Sequence, residues 1–500
     1  MAAGSVDPLT GLSGEHHVRR SQKADHYSLT DGLPCHDQGF DRAGSSKLAN
    51  GMKPTDHAIR FIREQNWQDF SPELQHQAKR CLLDALGALI AGTETPAAKI
   101  VAGIAESQFG GSQASILVRG LKTSASGAAL ANGFAANALD IDDGYRLVKG
   151  HPGACVLPVI LTAAELTPAC TGGEFLTALI IGYELGIRAG RIRHAGYETY
   201  HSSGSWGAIA GAAAAGRIMG LNAKILRHAL GAAEYHAPIA PMMKGIETPS
   251  MGKDSIGWGA MVGMLSVLMA GEGFTGIEPL FSDAPHPEWI EKLGHDWQIF
   301  NLYFKPYAAC RWAQPAVDGA LKIMAERGIA PSDIKTIRIR SFEAACALST
   351  RPPANTEDAQ YNMAYPVAAA LIDGEVGPCQ VLPPRIFDPD VLGLLPKVST
   401  EVGQDYETAF PAKTFAEVVI ETSNGETFTS GRMEPRWEPP DTLPKDEELE
   451  AKFRWLVSPV LGRTQCDNLV SRIWNFDEHP EARALIQLCQ KSPQAVKASL

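Results

Sequence analysis

The sequence predicts a mainly α-helical protein, with an α+β segment inserted before the chain returns to helix. Three observations predict this. Apolar residues recur at helical spacing from Thr55 to Ala270. β-Branched, alternating stretches fall only near residues 301–435. Helical spacing resumes after Lys445. The economical arrangement is a large all-helical domain formed by both chain ends, carrying an inserted α+β domain. Its expected boundaries are a leader over 1–50, helix over 51–300, the α+β unit over 301–438 and helix again over 439–500.

Residues 1–50 lack apolar periodicity and read as a disordered leader. Acids such as Asp7, Glu15 and Asp25 speak against a mitochondrial transit peptide. Thr55–Gln65 reads as a short helix. Ser71-Pro72 is an N-cap with proline at N1, opening a helix over Glu73–Ala91. Further helical patterns run over Ala97–Gln108, Ser124–Leu139, Val156–Leu166, Gly173–Arg193, Ser205–Met219, Ala223–Tyr235 and Ile256–Ala270. Several are rich in glycine and alanine, which lets helix backbones approach closely. Then come the helix Gln314–Arg327, the strand Asp333–Ser341 and the helix Gln360–Asp373. A hairpin turns at Asn424-Gly425. Helices over Asp446–Val457, Gln465–Trp474 and Pro480–Lys491 complete the chain.

Composition narrows the function. Of 500 residues, 45% are hydrophobic and 20% charged, with a net charge of −11. That argues against nucleic acid as a partner, which needs a basic face. The apolar run Ile256–Ala270 is too short to span a bilayer, so no membrane association is expected. Nine cysteines without a C-x-x-C pair fit a reducing, cytoplasmic setting.

The chemistry concentrates in Asn137–Gly153. Asp140, Asp142 and Asp143 follow a small-residue helix, and Arg146, Lys149 and His151 occupy the loop after it. Acids at a helix C-terminus face the negative end of its dipole, so this placement costs stability. Two readings stand: a catalytic cluster, or a solvated helix end with a loop histidine. His201 and Lys253 each precede a helix, where an imidazole or ammonium meets an anion. Each also has a plainer reading, as a structural hydrogen bonder and a surface lysine. Lys305 and Cys310 sit where the helical body hands over to the α+β unit. Gly271–Gly276 matches G-x-G-x-x-G but follows a helix, so it is no dinucleotide fingerprint. Asp140, Asp142 and His151 lack the usual ligand spacing, so neither a metal nor another cofactor is expected.

Taken in order, these segments resemble the MmgE/PrpD family over about residues 55–495. The landmarks are Leu82-Leu-Asp84-x-x-Gly87, Asn137-Ala-Leu-Asp-x-Asp-Asp143 and His151-Pro-Gly. They continue with His201 before a glycine- and alanine-rich helix, Lys253, Lys305-Pro-Tyr-x-x-Cys-Arg-Trp312, and Tyr365 in Asn362-Met-Ala-Tyr-Pro. The family includes 2-methylcitrate dehydratases, cis-aconitate decarboxylases and iminodisuccinate epimerases. The resemblance implies a helical body, an α+β lid, a homodimer and metal-free chemistry. It places Asp140, His151, His201 and Lys253 in catalysis, with Lys305, Cys310, Arg311 and Tyr365 binding substrate. The chain departs from the cis-aconitate decarboxylases in three ways. Its loop from Asp140 to His151 is one residue longer, Gly144 replaces a threonine, and Cys310 replaces the histidine thought to deliver a proton. The expectation is a lyase acting beside a carboxylate of a small di- or tricarboxylate, of the 2-methylcitrate or alkylcitrate dehydratase type. The alternatives are a dicarboxylate epimerase, a cis-aconitate decarboxylase, and a silent carboxylate-binding homologue.

Overall fold

Ser71 fixes where the first long helix begins. Its hydroxyl accepts the amide of Leu74 at 3.3 Å, and Pro72 takes the first turn. The helix runs Pro72–Gly92 and is buried along most of its second half. The computed structural model describes residues 52–491; the leader expected over residues 1–50 lies outside the described residues. Thr95, Ser124, Thr171 and Asn222 cap the helices Pro96–Phe109, Ala125–Asn137, Gly172–Gly196 and Ala223–His236 in the same way.

Small residues decide how the central helices cross. A Cβ on Gly263, in the helix Ile256–Gly271, would lie 2.6 Å from the carbonyl oxygen of Ala208, in the helix Gly204–Ile218. A Cβ on Gly133 would lie 2.7 Å from Cα of Gly257. Backbones therefore touch at both crossings, and any larger residue would push the helices apart. The late helix Asp446–Leu461 packs back on Pro72–Gly92, with Phe453 against Gly87. Early and late chain thus share one core.

The sheet-containing region is small. Four strands lie in the order Val398–Val402, Ile334–Ser341, Ala416–Thr422, Thr427–Met433. The first pair is parallel and the other two are antiparallel. The hairpin turns through Gly425 with φ +89°, as the Asn-Gly pair requires. Strand Val398–Val402 is not foreseen from the sequence, since Val-Ser-Thr-Glu-Val is short, mostly polar and unburied. The helix expected over Gln360–Asp373 is two helices, Thr356–Gln360 and Ala364–Asp373. The break is local: Met363 donates its amide to Ser349, and the Asn362 side chain accepts the amide of Tyr365. No described helix is long and apolar enough to cross a membrane.

One buried ion pair joins the two ends of the helical body to the loop of interest. Lys452 Nζ lies 2.5 Å from Asp84 and donates to the carbonyl of Ile141 at 2.7 Å. Removing one partner of such a pair leaves an uncompensated buried charge, at a cost of about 3–5 kcal/mol. Asp84→Ala should therefore lower unfolding free energy by that amount in urea titration; a loss below about 1 kcal/mol would show that the pair is not needed.

Candidate active site

The helix Ala125–Asn137 stops where Asp140 takes the left-handed conformation, φ +52°. The next helix, Pro152–Leu166, begins beside it with Pro152 at its first turn. The four-residue stretch between Leu139 and Gly144 is buried, although it holds three carboxylates. Each has a different partner. Asp143 accepts the amide of Gly153 at 2.9 Å and the Tyr183 hydroxyl at 2.5 Å. Burial, with Asp84 nearby, raises its pKa to about 7. It therefore binds the N-terminal end of the next helix rather than facing solvent. Asp142 accepts the Asn137 amide at 2.9 Å and faces Nδ1 of His151 at 2.9 Å. Asp140 lies 3.0 Å from Lys305 Nζ and 3.5 Å from Nε2 of His151. Burial opposes its charge, but Lys305, Lys253 and His151 outweigh burial and hold its carboxyl below the usual range.

Asp140, His151 and Lys305 edge a cavity of about 90 Å³. Burial disfavours charge on His151, yet Asp142 and the more distant Asp254 overcome it, raising the pKa to about 9. His151 is thus an imidazolium at neutral pH, aimed at the cavity by its second nitrogen. Lys305 enters from the handover segment and also donates to the carbonyl of Asp140 at 3.0 Å. Lys253, with φ +38°, donates to Gln360 at 2.6 Å and lies 5.6 Å from the Tyr361 ring centroid. Burial lowers its pKa against the pull of Asp140. Cys310 lines the cavity as a thiol, since burial and Asp140 push it up to about 12. Arg311 stacks over Tyr303 at 4.4 Å and pairs with Glu438 at 2.5 Å; Arg146 pairs with the same carboxylate.

The structure brings Asp140, His151, Lys305, Cys310 and Arg311 to one cavity; Lys253 is not among the lining residues but lies 5.6 Å from the ring of Tyr361, which is. His201 and Tyr365 are not among the lining residues. His201 stacks on His194 at 4.5 Å, and its Nδ1 lies 2.6 Å from Ser205 Oγ. Burial holds its pKa down. The Tyr365 hydroxyl donates to the carbonyl of Gln380 at 2.5 Å. The wall also holds Asp254, Tyr303, Tyr361 and Glu438, which sequence reading passes over. Asp254 offered one signal, an acid beside a lysine just before a charge-free helix. Asp140, Asp142 and His151 present ligand atoms all within 4.8 Å of one another. Lys305 and the charged His151 already neutralise this group, so a metal ion would have to displace both.

Backbone strain gathers here too. Six non-glycine residues among those described have positive φ: Val118, Asp140, Lys149, Lys253, Ser255 and Trp437. Two line the cavity and three adjoin lining residues. Such conformations cost on the order of 1–3 kcal/mol each and persist where surrounding structure dictates them.

Buried titratable groups of both signs around one cavity are the arrangement of an enzyme site. Family models agree: the MmgE/PrpD N-terminal domain matches residues 57–285 and the MmgE/PrpD C-terminal domain matches 307–476. The chain belongs to the MmgE/PrpD family. It is similar to the cis-aconitate decarboxylase-like protein oryM of Aspergillus oryzae, 23% identical over 86% of this chain and 95% of that protein. It is also similar to the cis-aconitate decarboxylase of Aspergillus terreus, 23% identical over 85% of this chain and 94% of that enzyme. The chain is a lyase-type enzyme, dehydratase- or decarboxylase-like.

The charge on His151 makes stability depend on pH. Its folded pKa of about 9 exceeds the ordinary 6.5. The folded state therefore binds this proton more tightly, and the stability gained is complete below about pH 6.5. It is lost as pH rises through about 9. The melting temperature of the wild type should fall across that window, and His151→Gln should flatten the fall. Identical pH profiles for the two proteins would contradict the buried imidazolium.

Proposed function

We propose that this enzyme is a metal-free lyase that removes water from a small tricarboxylate of the 2-methylcitrate or alkylcitrate type. The observation that carries this reading is the placement of buried His151, 2.9 Å from Asp142 and 3.5 Å from Asp140, beside Lys305 and Arg311 on the wall of one cavity. Dehydration beside a carboxylate needs an acid for the departing hydroxyl and positive charge for the enolate-like transition state. His151 supplies the acid. Lys253 and Lys305 supply charge, and Asp140 fixes the ammonium of Lys305 beside the imidazole. Arg311 and Lys149 meet the outer carboxylates, and Cys310 completes the wall. We assign His201 and Tyr365 to holding the neighbouring segments, through Ser205 and Gln380.

Decarboxylation of cis-aconitate is the second reading, favoured by the names of the relatives. Against it stands Cys310, a thiol whose pKa of about 12 makes it a poor proton donor. A homodimer is part of the proposal. The helix Ile256–Gly271 has no charged residue, and Trp258 on it is 47% exposed, which suits burial against a second copy. The described cysteines are free thiols, which supports a cytoplasmic setting.

Citrate, 2-methylcitrate and cis-aconitate should be offered separately, following alkene absorbance and carbon dioxide release. Alkene formation from 2-methylcitrate without carbon dioxide is expected. Carbon dioxide from cis-aconitate would replace the reading with the second one, and no turnover of any would point to a silent binder. Lys253→Ala should raise KM as well as lower kcat, because a carboxylate loses its counter-charge. Exhaustive chelation should leave turnover intact; a loss restored by zinc, iron or magnesium would overturn the metal-free assignment.

A further inference from the structure

An elimination of water needs a base as well as an acid, and the choice of base rests on the dehydratase reading. Three carboxylates line the cavity: Asp140, Asp254 and Glu438. Two are already matched by permanent cations. Asp140 has Lys305 at 3.0 Å, and Glu438 has both Arg311 and Arg146. Asp254 differs. Among the described residues no lysine or arginine nitrogen comes within 4.0 Å of it. Its partners are neutral hydroxyls: Ser203 donates to Oδ1 at 3.0 Å, and Tyr361 donates to Oδ2 at 3.3 Å. Each oxygen keeps a lone pair free.

The position is built firmly. Lys253 and Ser255, on either side, both have positive φ, at +38° and +54°. The carbonyl of Asp254 accepts the amide of Gly204 at 2.9 Å. Ser203 also accepts the backbone amide of His151 at 3.3 Å, tying the two segments together. The side chain is 1% exposed, and its Oδ2 lies 4.0 Å from Nε2 of His151. A carboxylate with no lysine or arginine partner thus shares one wall with the His151 imidazole.

We propose that Asp254 is the catalytic base, taking the proton from the substrate carbon next to a carboxylate. The step balances within the site. The C–H bond breaks and its proton goes to Oδ2 of Asp254. The released electron pair forms the new C=C bond as the C–O bond breaks. The departing oxygen takes a proton from Nε2 of His151 and leaves as water. The carboxylic acid then returns its proton to the neutral imidazole facing it, so the protein gains and loses none. The remaining carboxylates are poor candidates, because a lysine or arginine beside them lowers their basicity.

The test uses the full chain with citrate, 2-methylcitrate and cis-aconitate in deuterated water. Asp254→Asn preserves the shape of the group and keeps one acceptor oxygen for Ser203 or Tyr361, while its NH2 donates to the other hydroxyl, which rotates to accept. It should lower kcat by about 100-fold or more, with KM little changed, and abolish solvent exchange at the substrate carbon. Circular dichroism and melting temperature should match the wild type. Asp254→Glu guards against a folding artefact: it should stay active but slower, with a larger isotope effect on substrate deuterated at that carbon. Near-normal turnover and exchange in Asp254→Asn would overturn the base assignment and leave the lyase reading intact. So would Asp254→Glu with unchanged rate and isotope effect. A wild type that neither turns over nor exchanges any of the three compounds would overturn both.

Discussion

A buried carboxylate must find a positive or hydrogen-bonding partner, and this requirement organises the whole molecule. Desolvation works against charge on Asp84, Asp140, Asp142 and Asp143 alike. The partners come from distant parts of the chain: Lys452 from the C-terminal helices, Lys305 from the handover segment, His151 from the next helix start, and Tyr183 from a core helix. Closing these contacts brings six segments together, counting the helix of Asp84 and the loop itself. The loop could not keep its shape if any of them packed elsewhere, because an unpaired buried charge costs several kcal/mol. The cavity is therefore a by-product of satisfying the acids, and its polarity follows from which acids remain incompletely matched.

That requirement also explains where the backbone is strained. Asp140 and Lys149 bound the loop that carries the cluster, and Lys253 and Ser255 bound Asp254. A relaxed loop would turn these side chains away from the cavity. The helices Gly204–Ile218 and Ile256–Gly271, touching backbone to backbone, give a frame stiff enough to impose the unfavourable dihedrals. Packing energy from the small-residue core is thus converted into fixed positions for charged groups.

The sequence made much of this legible. Helix starts at Ser71 and Ser124 follow from cap chemistry, and the hairpin follows from Asn424-Gly425. Asp140, His151 and Lys305 stand out as charged residues among apolar ones. What was not legible is pairing over long separations. Nothing in the residues near Asp143 says that Tyr183 will hold it, or that Glu438 will claim both Arg146 and Arg311. The three acids read as a helix end exposed to an unfavourable dipole; burial and capture of the following helix reverse that sign. His201 carries the same local signal as Lys253, a polar side chain before a helix. Neither lines the cavity: His201 is taken up by Ser205 and His194, and Lys253 by Gln360.

Gly144 shows how one small departure propagates through such a site. A Cβ there would lie 2.2 Å from Cζ of Tyr303, so no larger residue fits while the ring stays in place. The backbones of the two residues exchange both hydrogen bonds, at 3.0 and 2.9 Å, so neither can shift alone. Tyr303 in turn lies beneath Arg311, whose guanidinium is held by Glu438 and the carbonyls of Phe304 and Arg436. Glycine at 144 thus admits an aromatic floor, and the floor positions an arginine on the cavity wall. A threonine at this position would expel the ring and free the arginine to take another direction. Cys310 lines the same enclosure as a thiol that burial and Asp140 keep protonated. The cavity's shape therefore depends on Tyr303. Gly144, Tyr303, Arg311 and Glu438 therefore form one coupled unit of the wall rather than four independent residues.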